Sequence, residues 1–146
     1  MTLSNLMTVG RQSTYLVMVT AGQMLTILCA GFDLSVGSSV ALTSIVTSLV
    51  MVSFSDPMIG MILGVICGIG VATLVGVANG VTIAAFRVSP FVVTLGMLSI
   101  AHGLALLISR GVPIFNLPDE FGHTFGVGHV LGIPVPVFAA LFIVFL

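Results

Sequence analysis

From Met58 to Phe86 the chain runs without a single charged residue, and small residues recur at every fourth position: Gly60, Gly64, Gly68, Ala72, Gly76 and Gly80. As a helix this stretch is about 43 Å long, more than a bilayer core of about 30 Å needs, so it must tilt, kink or end early. The spacing gives G-x-x-x-G three times and lets neighbouring helix backbones approach closely, because dispersion and weak C–H contacts, not water exclusion, drive association inside lipid. Four residues advance about 400° on a helix, so the stripe winds slowly and is expected to meet more than one neighbour.

The rest of the chain fits the same solvent. Hydrophobic residues make up 58% of it and charged residues only 5%, a charged share several times too small for a water-soluble domain. Four further apolar stretches, 14–30, 38–54, 91–109 and 134–146, stand beside 58–86. The fold class is therefore an all-α membrane protein, a polytopic helical bundle with about four full transmembrane helices and a fifth that is cut short. The absence of lysine removes any basic patch for nucleic acid and also the Gly-Lys-Ser/Thr of a phosphate-binding loop.

Between the first two spans lies Gly31-Phe32-Asp33-Leu34-Ser35-Val36-Gly37-Ser38, a polar break bounded by glycine. An aspartate in hydrocarbon needs a partner, a helix terminus or water. Asp33 or Ser35 can cap the helix that follows, accepting from its first free N–H groups; the alternative is a polar pathway lined by a broken helix. Asn79, inside the long apolar helix, is likewise either an interhelical hydrogen bond or part of a solute path. Gly96, Ser99 and Gly103 share one face of the 91–109 helix and are expected to pack closely. Asp56-Pro57 marks a tight turn, and Arg87-Val88-Ser89-Pro90 ends one helix and starts the next.

No constellation of nucleophile, base and orienting group suggests an enzyme. Glu120-x-x-His123 has metal-site spacing but lacks a second copy and a rigid helical setting, and Gly68-x-Gly70 and Gly126-x-Gly128 lack the third glycine of a dinucleotide fold. Neither a cofactor nor a metal site is expected. The segment 110–133, glycine-rich and marked by proline, reads as an extramembrane loop.

Four segments taken in order carry a family resemblance: Gly-Phe-Asp-Leu-Ser-Val-Gly-Ser at 31–38, Gly-Val-Ala-Asn-Gly at 76–80, Ser-Pro-Phe-Val-Val-Thr-Leu-Gly at 89–96 and Leu-Gly-Ile-Pro-Val-Pro-Val at 131–137. Together they resemble the permease subunits of ribose, xylose and arabinose-type ABC sugar importers, from about residue 3 to the end. The resemblance implies an inner-membrane subunit that forms the solute pathway for a monosaccharide, with a second permease copy as dimer partner, a separate ATPase and a periplasmic sugar-binding protein. It adds Thr94 to Asp33, Ser35 and Asn79 as candidate pathway or helix-break residues. Family members are roughly twice as long, so the expectation is a partial permease with no transport of its own. His102 stands where the family commonly has arginine.

The resemblance also implies that the 110–133 loop is periplasmic and Arg87 cytoplasmic, although counting arginines under strict alternation gives the reverse. Two other classes remain open from the residues alone: a small secondary transporter or channel, for which Asp33 is the only credible membrane acid, and a structural membrane subunit.

Overall fold

The computed structural model describes residues 3–126, 128–130 and 133–145. Leu131, Gly132 and Leu146, which belong to the last motif and the last span, lie outside them. The chain divides into two compact units, 29–118 and a pair of segments, 1–28 with 119–146.

The first unit is a three-helix bundle of α2 (Val36–Ser53), α3 (Pro57–Phe86) and α4 (Pro90–Ser109). All three are long and apolar enough to cross a membrane. The turn between α2 and α3 is made by Asp56, whose carboxylate accepts from the backbone N–H groups of Met58 (2.9 Å) and Ile59 (3.2 Å) while Pro57 takes the first helical position. This cap satisfies two of the donors that any helix leaves free at its start. At the other end of α3, Arg87 adopts a left-handed backbone (φ 52°), and Pro90 opens α4. α4 closes with Arg110 and Gly111 both left-handed. Gly111 N–H reaches the Leu106 carbonyl (3.0 Å) and Arg110 N–H that of Leu107 (3.4 Å), the paired bonds of a Schellman ending.

α3 runs back along α2, and α4 returns beside both. Buried Leu42, Ala101 and Ala105 form the centre of the bundle, with Ile45, Val46, Val71 and Val75 packed around them. Most of the remaining large apolar side chains are exposed, the arrangement expected when lipid rather than water surrounds a bundle.

Only part of the α3 stripe meets a neighbour. A Cβ added at Gly60 would come within 2.6 Å of the Met51 carbonyl oxygen, one at Gly64 within 2.9 Å of the Thr47 carbonyl, and one at Gly68 would strike the Thr47 hydroxyl. Ala72, Gly76 and Gly80, expected to pack likewise, are exposed, with no described atom within 4 Å of a Cβ added at either glycine. The spacing permits close approach, and α2 exploits it over the first half alone. The expected face of α4 is also corrected: Gly96, Ser99, His102 and Gly103 are exposed, and Thr94, Ala101 and Ala105 face inward instead.

In the second unit α1 covers Leu3–Leu28, 26 residues. It begins well before the apolar stretch at 14, since backbone hydrogen bonding continues through Asn5, Arg11 and Gln12 whatever their polarity, and it stops short of Ala30, whose φ is 57°. α1 has the length to span, but its polar residues keep it out of the apolar class. Among the described residues three helices, not four, are long and apolar enough to cross.

The segment read as a loop holds a single helical turn, α5 (Asp119–Phe121), a π-helical turn at Gly122–Gly126, and two short strands, β1 (His129–Val130) and β2 (Ile133–Pro134). The strands pair antiparallel, His129 with Pro134 and Val130 with Ile133. α6 (Val135–Val144) follows and packs along α1. Arg11 of α1 donates to the carbonyl of Gly126 at 2.8 Å, tying the π-helical turn to the helix.

Candidate functional site

Residues 31–35 enter the three-helix unit ahead of α2 and outside any helix. Non-helical backbone at membrane depth is tolerated only where protein or a water-lined cavity satisfies its polar groups, and here the Thr94 hydroxyl of α4 and the carboxylate of Asp33 do so. Thr94 lies four residues into α4, about 6 Å from its start, and Asn79 lies seven residues before the end of α3, about 10 Å from it. Both are therefore inside the length of the helices rather than beyond their ends.

Thr94, 2% exposed, holds the main chain of the break. Its hydroxyl donates to the carbonyl of Phe32 (3.1 Å) and accepts the N–H of Leu34 (3.2 Å), with the Phe91 carbonyl of its own helix at 3.4 Å. A hydroxyl has one proton and two lone pairs, so a single threonine serves a donor and an acceptor that straddle Asp33. Alanine or valine could do neither.

A second set of bonds holds the side chains. One oxygen of Asp33, Oδ1, accepts both the backbone N–H of Ser35 (2.7 Å) and its hydroxyl (2.6 Å). Asn79 donates through Nδ2 to the same Ser35 hydroxyl at 3.0 Å. Ser35 is completely buried, and Asn79 nearly so. The carbonyl of Ser35 then accepts the N–H of Ser39 and the hydroxyl of Ser38, each at 2.8 Å, and α2 is under way.

The expected cap differs in form from what is found. Ser35 occupies the position just before α2 but makes no side-chain bond to the first turn: its backbone is already helical there (φ −83°, ψ −6°), and its hydroxyl oxygen accepts from Asn79 instead. Asp33 bonds Ser35, the residue ahead of the helix, in a turn closed by its own side chain. The carboxylate still lies at the positive end of α2, where a negative charge is stabilised. The orientation of Asn79 follows from the same proton count: with the Ser35 proton on Asp33, the hydroxyl can only accept, so the amide must present its NH2. Among the described residues Asn79 Oδ1 is left buried without a hydrogen-bond partner, at a cost of about 1–3 kcal/mol.

The four residues singled out in the sequence, Asp33, Ser35, Asn79 and Thr94, thus come together from three elements at one break, in two sets of bonds. Sequence reasoning missed how they divide: Thr94 grips the backbone, and Asn79 bonds the Ser35 hydroxyl that Asp33 accepts. It also missed the bond from Arg11 to the Gly126 carbonyl, which no spacing announces because 115 residues separate the partners.

Comparison with known proteins agrees with the motifs. The chain is 34% identical over 143 residues to the D-allose transport system permease protein AlsC of Escherichia coli (strain K12), covering 98% of this chain and 43% of that protein. It is 37% identical over 133 residues to the ribose import permease protein RbsC of Bacillus subtilis (strain 168), covering 90% and 40%, and 35% identical over 122 residues to the galactofuranose transporter permease protein YtfT of Escherichia coli (strain K12), covering 82% and 34%. The chain spans about two fifths of the length of the first two of these relatives and a third of the last. No solved structure matches. Residues 5–146 match the family described as branched-chain amino acid transport system / permease component, and on that match the chain, a multi-pass all-α membrane protein, belongs to this family of transport permeases.

Proposed function

We propose that this chain contributes to the solute pathway of an ABC importer for a monosaccharide, with the break at residues 31–35 as the polar element of that pathway. The observation that carries the reading is the convergence of three of the four motifs, those containing Asp33 and Ser35, Asn79, and Thr94, on one break, where Ser35, Asn79 and Thr94 are buried and Asp33 is half-buried. A chain that needed only a membrane anchor would have no use for an aspartate, a buried amide and non-helical backbone inside a bundle, each of which is costly in lipid. The sugar specificity rests on the relatives, which are permeases for allose, ribose and galactofuranose, although the family description names branched-chain amino acids.

On this reading the pathway works as a dimer of permease copies in the bacterial inner membrane, a separate ATPase supplies energy, and a periplasmic binding protein delivers the sugar. The segment 110–133 faces the periplasm and Arg87 the cytoplasm. The chain itself is not an enzyme.

The test is to replace the matched segment of the D-allose permease with this chain and measure uptake. Monosaccharide uptake that disappears with the cognate ATPase is the expected result. Uptake of leucine or valine instead would transfer the substrate to the amino-acid class, and uptake that survives deletion of the ATPase would favour a secondary transporter. A cysteine at Gly126, in a background lacking Cys29 and Cys67, is expected to react with a membrane-impermeant thiol reagent in intact cells. Reaction only after lysis would invert the orientation.

A further inference from the structure

Two residues hold the break from two helices, and their bonds do not overlap. Thr94 touches the main chain on either side of Asp33, at the Phe32 carbonyl and the Leu34 N–H. Asn79 touches neither of those groups; its Nδ2 bonds the Ser35 hydroxyl, and that hydroxyl in turn bonds Asp33 Oδ1. Because the Ser35 N–H also ends on Asp33 Oδ1, the side chain of Ser35 and its backbone are locked to the same oxygen. Anything that fixes the hydroxyl also fixes the carboxylate.

We propose that Asn79 is a positioning residue for Asp33, acting through Ser35: its amide holds the serine hydroxyl in the one rotamer that delivers O–H and N–H together to a single carboxylate oxygen. The buried, unpartnered Asn79 Oδ1 marks the constraint, since turning the amide over would present an oxygen to a hydroxyl whose only proton is already on Asp33. Thr94 sets the path of the backbone independently. The break is thus held by two separate latches, one for the chain and one for the acid. This inference concerns the geometry of the break and stands whether or not the solute is a sugar.

The two latches have separate reporters, the amide protons of Ser35 and Leu34. Hydrogen exchange of the whole chain in lipid nanodiscs, read residue by residue, is the experiment. In Asn79→Ala and in Asn79→Leu, close to asparagine in size but with nothing to donate, Ser35 N–H is expected to exchange about tenfold faster, with Leu34 and the amides within α2 unchanged. Asn79→Gln, which keeps the donor, should restore part of the protection. In Thr94→Val the pattern reverses, with Leu34 faster and Ser35 held. In Ser35→Ala, adding Asn79→Ala should change nothing further at residue 35, because the relay is already cut. The proposal is overturned if Ser35 keeps its protection in both Asn79 variants, or if Ser35, Leu34 and α2 lose protection together in them. It is overturned equally if Asn79→Ala has its full effect without the serine hydroxyl.

Discussion

Gly64 and Gly76 lie on one stripe of one helix, three turns apart, and the structure treats them oppositely. At Gly64 the backbone of α2 comes so close that a methyl group would meet the Thr47 carbonyl and the Met51 side chain; at Gly76 there is open space. Both obey the same four-residue rule, so the rule alone does not create the contact. What differs is the partner: α2 follows α3 closely from Met51 to Thr43, and towards its start it presents Ser35, and with it the break, to Asn79. α3 is therefore bonded to α2 in two ways, by close backbone packing along its first half and by a hydrogen-bonded side chain near its end. The first tolerates no added volume, and the second tolerates no lost polar atom.

The largest effect is expected from Gly64→Leu. The obstructing groups include a backbone carbonyl that cannot rotate away, so the helices must separate, at a cost of about 3 kcal/mol. Thermal unfolding in nanodiscs and protease sensitivity should both show it. Asp33→Ala should come next, at about 2 kcal/mol, because the Ser35 N–H and hydroxyl lose a charged acceptor in one step. Asp33→Asn, which keeps one oxygen, should recover much of that stability, and equal losses in the two variants would shift the emphasis from hydrogen bonding to charge.

Thr94→Val, similar in shape but without a hydroxyl, should cost about 1 kcal/mol, with Thr94→Ser close to the parent. The smallest effect is expected from Gly76→Leu, within about 0.5 kcal/mol in the isolated chain. Destabilisation as large as that of Gly64→Leu would show that the second half of the stripe is occupied after all.

How much of this was legible in the sequence varies with the kind of interaction. The limits of α2, α3 and α4 fall within two residues of the apolar stretches at 38–54, 58–86 and 91–109, because the breaks between them carry aspartate, proline and arginine, residues that stop apolar helices for local reasons. α1 was misjudged because apolarity and helicity part company at Arg11 and Gln12. A small-residue pattern states where a backbone can come close, not which helix will come, so Gly60–Gly68 and Gly76–Gly80 looked alike. The same blindness assigned the packed face of α4 to Gly96, Ser99 and Gly103 when Ala101 and Ala105 carry it.

For the site, the residue types were readable, since Asp33, Ser35, Asn79 and Thr94 are polar groups where lipid penalises them. Their connections were not. The bond from Asn79 to Ser35 joins positions 44 apart, and nothing local to either residue names the other.

The most direct measurement of the central claim, that the break is docked against the far end of α3, is a cross-link between those two positions. Ser35→Cys and Asn79→Cys, in a background where Cys29 and Cys67 are replaced by serine, put two thiols on the side chains whose ends now meet at 3.0 Å. A short bifunctional thiol reagent in native membranes is expected to bridge them efficiently within one chain. A Ser35–Asn79 pair that remains unbridged in folded protein, with both thiols reactive singly, would contradict the account.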